Sequence, residues 1–215
     1  MNPTIVQNYY VLAVDKNGLM PPMRRDECNA GLVAAALMDL MLAEVVTFKK
    51  DQISVTGDLP LDLEFLASLY TYLLKGRITV QKLMDDYAAY PHHLKALVEA
   101  VGESLVDAGA ATQDKGGMFG SKAVFIPEKD HKDACVDHLK AVVSEIPSEQ
   151  DLMLLMLLDK TKTLKQYFSQ YEDDALKATL QTIRKDPQYK ALSRIIDSMN
   201  DFFSFWLFGL AIGLF

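Results

Sequence analysis

The sequence predicts a mainly α-helical domain in which one buried, hydrophobic helix is surrounded by amphipathic helices, with small β-hairpins between them. Three observations carry this expectation. Ala30 to Ala43 (AGLVAAALMDLMLA) is apolar or glycine everywhere except Asp39. Ala, Leu and Met favour helix, and a helix apolar on every side belongs in an interior. Most of the remaining chain repeats apolar residues at helical spacing, and the strand-like runs are short and bracket polar or glycine-rich turns. The central run falls short of the roughly 20 apolar residues that cross a bilayer.

Tyr9 to Val14 (YYVLAV) reads as a short strand closed by Asp15-Lys16-Asn17-Gly18, which is turn chemistry. Leu19 to Met23, with Pro21-Pro22, is expected to be extended. Asn29 is placed to cap the central helix. Val45 to Phe48 and Ile53 to Val55 flank a polar turn and predict a hairpin. Leu61 to Leu74 has a helical period ending at Lys75-Gly76. Thr79 opens a second helix, and Pro91 suits the first turn of a third, which Gly109 closes. Ala110 to Thr112 and Ala123 to Ile126 predict strands around a polar, glycine-rich tip. Lys129 to Val143 is an amphipathic helix, and Ser148-Glu149-Gln150-Asp151 has capping-box character before the apolar run LMLLMLL. Thr163 to Ser169, Asp173 to Lys185 and Lys190 to Leu207 complete the helices, with Asp186-Pro187 as a break. Phe202 to Phe215 is the most hydrophobic segment, interrupted by Gly209 and Gly213; it reads as a tail anchor or as a final helix docked on the core. No repeat or low-complexity linker divides the chain, so residues 1–215 are expected to form a single domain.

The 215 residues suffice for one sizeable core, and 50% hydrophobic with 24% charged residues is an ordinary globular composition. A formal charge of −7 argues against nucleic acid or acidic lipid as a partner of the whole surface. Cys28 and Cys135 are too few for a disulfide framework and predict a reducing compartment. The N-terminus, MNPTIVQNYY, lacks the pattern of a signal peptide, so the expected location is cytoplasmic, with peripheral attachment to a membrane left open.

Glycine-rich phosphate loops, G-x-S-x-G, HExxH and paired CxxC motifs are missing from the sequence. On a helix, His131, Cys135 and His138 fall on one face at i, i+4 and i+7, where three soft ligands could meet a metal. The same spacing describes a solvated helix flank, and the expectation is no metal, no cofactor and no catalytic centre there. Asp39, a carboxylate in an apolar helix, must find a partner or shift its pKa. A structural partner is the expected outcome, with an enzyme using Asp39 or the His131 cluster as an alternative. Leu94 to Ile126 has the helix-plus-wing pattern of a winged-helix unit, the other alternative. The helix carries Lys95 against Glu99, Glu103 and Asp107, which argues against DNA.

In order along the chain, YYVLAVDKNG, GLVAAALMDLMLAEVV, TGDLPLDLEFLASL with TVQKLMDDY, LKALVEAVGESLVDAGAATQD with FIPEK, EQDLMLLMLLDKTKTL and FFSFWLFGLAIGLF resemble the GPP34 family. The eukaryotic member of that family is Golgi phosphoprotein 3. The brief N-terminus and acidic charge are similar to those of a bacterial member. The resemblance implies a mostly helical fold around a hydrophobic helix and a non-enzymatic function. It further implies binding to phosphatidylinositol 4-phosphate at Golgi membranes and an adaptor role for glycosyltransferase tails. The family's headgroup pocket uses a Trp and an Arg around the start of the central helix, and two basic residues one turn apart before the hairpin. Those positions match Arg24, Val33, Lys95 and Val98 here. One basic residue, Lys95, is retained, and Arg24, Arg25 and Lys95 are the candidate ligands of a smaller anion or headgroup site. Phosphate recognition rests on several charge-assisted bonds of roughly 1.5–3 kcal/mol each, so weak lipid binding without 4-phosphate preference is expected. The family's hairpin mediates self-association and touches membrane. The 110–127 hairpin, with Met118 and Phe119 at its tip, is therefore the expected contact between protomers.

Overall fold

The computed structural model describes residues 3–116, 122–143 and 145–212. Helix α1 spans Ile5–Ala13, so Tyr9 to Val14 is helical up to Ala13 rather than the expected strand. Local and distant groups together fix it. Thr4 and Gln7 form a reciprocal capping box, and the Asp39 carboxylate accepts the Ile5 and Val6 amides at 2.8 Å each. These contacts satisfy amide donors that a helix start would leave unpaired.

The central helix, α2 (Arg25–Leu42), begins before Asn29, which lies inside it rather than capping it. A 3-10 turn over Pro22–Arg24 leads in where an extended connection was expected, and Asp26 and Glu27 complement the positive end of the helix. Leu32 to Leu40 is buried throughout, Asp39 included. Around α2 pack α1, α4 (Val80–Ala89), α5 (Pro91–Asp107) and α7 (Glu149–Lys160). Gly31 sets the approach of α1: a Cβ there would collide with the Tyr9 hydroxyl and ring.

Strands β1 (Val46–Lys49) and β2 (Gln52–Val55) form the predicted hairpin, with Lys49 opposite Gln52. A third strand, β3 (Ile78–Thr79), adds to β2 and was not expected. The predicted helix from Leu61 to Leu74 is a 3-10 segment over Leu61–Leu66 followed by α3 (Ala67–Leu73). Thr79 caps α4 through its side chain, as expected. Strands β4 (Ala111–Gly116) and β5 (Lys122–Pro127) are longer than expected and pair antiparallel, Ala111 opposite Pro127.

Helix α6 (Lys129–Val142) and α7, capped by Ser148, follow as read from the sequence. Thr163 to Ser169 holds only a 3-10 turn over Leu164–Gln166, not a helix. Beyond it lie α8 (Gln170–Lys185) and α9 (Lys190–Ile212). Within α9, Phe202 and Phe203 are buried, and the Phe202 ring meets Phe48 edge-on at 5.8 Å. Among the described residues, no helix is long and apolar enough to cross a membrane.

Candidate functional site

The turn after α1 is built around Asp15. Its carboxylate accepts the Asn17 and Leu19 amides at 2.8 and 3.0 Å, and Gly18 takes a positive φ of 71°. A Cβ at Gly18 would collide with the Phe125 carbonyl oxygen, so only glycine lets the turn press against β5. The buried Tyr10 hydroxyl donates to Phe125 O at 3.1 Å, with Gly18 O a longer second acceptor at 3.4 Å. Phe125 is fully buried beneath α5, where Gly102 leaves room for its ring.

A cavity of about 320 Å³ opens above this junction. Tyr10 and Val14 come from α1, Gly18 to Met20 from the turn, Arg25 and Asn29 from α2, Val98 from α5, and Ala123 and Val124 from β5. Among these lining residues Arg25 alone carries a charge. Its side chain is exposed and makes no hydrogen bond or ion pair with the described residues. Leu19, in the lining, is 52% exposed, and Met23, on the lead-in turn two residues before Arg25, is 95% exposed.

Of the three expected ligands, Arg25 lines the cavity. Arg24 is half-buried and its guanidinium donates to Thr161 O at 3.1 Å, at the end of α7. Lys95 is exposed, does not line the cavity and lies 3.6 Å from Glu99 one turn along α5. Arg25 alone faces the cavity. Val98 forms part of the apolar wall. Tyr10, Met20, Asn29 and Val124 were not expected from the sequence to line a site. They are scattered along the chain, and no spacing marks them as neighbours. Met118 and Phe119 lie outside the described residues.

The other candidates have structural partners. Both Asp39 oxygens are taken by α1 amides, and burial pushes its carboxyl up to about 6 against those two stabilising donors. His138 Nε2 lies 2.9 Å from Asp151 Oδ1, and the Cys135 thiol donates to Asn8 Oδ1 at 3.2 Å. Among the described residues, no group of three His, Cys, Asp or Glu is arranged to hold a metal ion. The His92-His93 pair packs with Tyr72, Tyr87 and Tyr90 at the start of α5, away from the cavity.

The family model described as Golgi phosphoprotein 3 (GPP34) matches residues 5–199 of the chain. No curated protein matches it at a significant level.

Proposed function

We propose that this chain, which belongs to the Golgi phosphoprotein 3 (GPP34) family, is a non-enzymatic protein that docks weakly on a lipid surface through the Arg25 cavity. One observation carries the reading: an open cavity with a single unpaired cation and an exposed Leu19 in its lining, with the exposed Met23 two residues before that cation in the chain. Leaving Met23 in water is unfavourable, and burying such a side chain contributes roughly 1.5–3 kcal/mol. A cation beside an anionic leaflet adds about 1 kcal/mol. With a partial share from Leu19, the sum is about 4–5 kcal/mol, which is near-millimolar affinity. The net charge of −7 opposes approach only over the short range that salt leaves unscreened, about 8 Å at physiological strength.

A 4-phosphate headgroup needs several converging donors. With Arg24 committed to Thr161 and Val98 on the wall, Arg25 offers one. The reading is therefore surface binding without headgroup selection. The test is vesicle flotation with phosphatidylcholine alone and with added phosphatidylserine. Wild type is expected to float with the anionic vesicles; Arg25→Ala is expected to weaken this about fivefold and Met23→Ser about tenfold or more. Flotation with neither vesicle, or flotation that both variants leave unchanged, overturns the proposal.

A further inference from the structure

A second cavity, of about 370 Å³, lies between the start of α1, α6 and the start of α7, and the Arg25 site shares no lining residue with it. His131, Cys135 and His138 of α6 line it together with Asn8 and Asp151. His131 Nε2 is buried and finds no hydrogen-bond partner among the described residues. A buried polar nitrogen left unsatisfied is unfavourable, so this atom calls for a partner.

The charge around the cavity selects what that partner is. The lysines of α6 are engaged elsewhere: Lys129 with Asp133, Lys132 on the Val14 carbonyl, and Lys140 with Glu172. No lysine or arginine lines the cavity, whereas the mostly buried Asp151 carboxylate does. Burial pushes the Cys135 thiol up to about 11, so it stays protonated and adds no charge. Asn8 Oδ1 is an acceptor, and so is His131 Nε2 when the ring proton sits on Nδ1. Asp151, which also accepts from Ser148 Oγ and meets His138 Nε2, is the one carboxylate in the lining, and with no lysine or arginine there the cavity favours a cationic donor over an anion. Leu139 and Leu154 supply an apolar face, and the volume admits a molecule of about ten heavy atoms.

We propose that this cavity binds a small organic amine. The ammonium donates to His131 Nε2 and faces Asp151, while the hydrocarbon body lies against Leu139 and Leu154. Calorimetric and NMR titration of the full chain with hexylamine and phenethylamine, beside hexanoate and 3-phenylpropanoate, tests it. The amines are expected to bind saturably with shifts at the α6 and α7 residues, and the matched carboxylates are expected not to bind. His131→Leu, which removes the acceptor and suits an apolar surrounding, and Asp151→Asn are each expected to weaken amine binding about tenfold or more. His131→Leu keeps the test decisive if Asp151→Asn disturbs the start of α7. Equal binding of amine and carboxylate, unchanged amine binding in His131→Leu, or no saturable shift up to millimolar amine overturns the proposal.

Discussion

The Arg24 guanidinium donates to the Thr161 carbonyl oxygen at 3.1 Å, joining the entry of α2 to the end of α7. The neighbouring Arg25 points instead to the open cavity. Two adjacent arginines therefore divide the work, one holding the fold and the other facing solvent. Arg24→Ala is expected to lose about 1–3 kcal/mol of stability, because a carbonyl at a helix end loses a charged donor. Arg25→Ala is expected to change stability by no more than about 0.5 kcal/mol. Urea denaturation of both variants checks the contrast, and equal losses would contradict it.

Asp39 gives the fold a pH dependence. Its carboxyl is raised to about 6 by burial, from 3.8 for an unperturbed group. The folded state therefore holds the proton more tightly than the unfolded chain. Stability from this group is fully present below about pH 4 and is lost as pH rises through about 6, a change of about 3 kcal/mol at 1.36 kcal/mol per unit. Asp39→Asn is expected to remove this slope. It is also expected to cost about 1–3 kcal/mol at neutral pH, because an amide NH2 would face one of the α1 amides. Denaturation midpoints at intervals from pH 4 to 7 check it, and a pH-independent difference between variant and wild type would contradict it.

Gly102 tests the cavity wall. A Cβ there would fall within the fully buried Phe125 ring. Gly102→Ala is expected to cost about 1–3 kcal/mol and to lift β5 from α5. The measurement is urea denaturation with NMR shifts of Val124 and Tyr10. Unchanged stability and unchanged shifts would contradict the packing.

Much of the fold was legible because its signals are local. The apolar run of α2, the Thr79 and Ser148 caps, and the amphipathic spacing of α5 and α6 each stand in a few consecutive residues. Two of the misreadings have a long-range cause. YYVLAV has the β-branched and aromatic content of a strand, yet it is helical to Ala13, with the helix start held by Asp39, more than 30 residues away. Strand β3 exists only because Gln52 and Ile53 pair with it. The early start of α2 was hidden because Arg25 to Glu27 looks like a charged linker. The cavity was legible only at Arg25, since its walls come from elements far apart in sequence.

The tip of the 110–127 hairpin carries Met118 and Phe119 on a glycine-rich frame. We propose, from the sequence and the family resemblance, that it joins protomers. Sedimentation of wild type against a Met118→Ser, Phe119→Ser double variant is expected to show a larger species that the variant loses. Identical sedimentation of the two would remove the hairpin as the contact.

The most direct measurement is binding to phosphatidylinositol 4-phosphate vesicles against phosphatidylserine vesicles matched in charge, at physiological salt. With Arg25 as the cavity's one cation, the two are expected to bind weakly and within about threefold of each other, since a second charge-assisted bond would separate them by tenfold or more. Tight, saturable binding to the 4-phosphate vesicles alone, or binding to neither, would contradict the account.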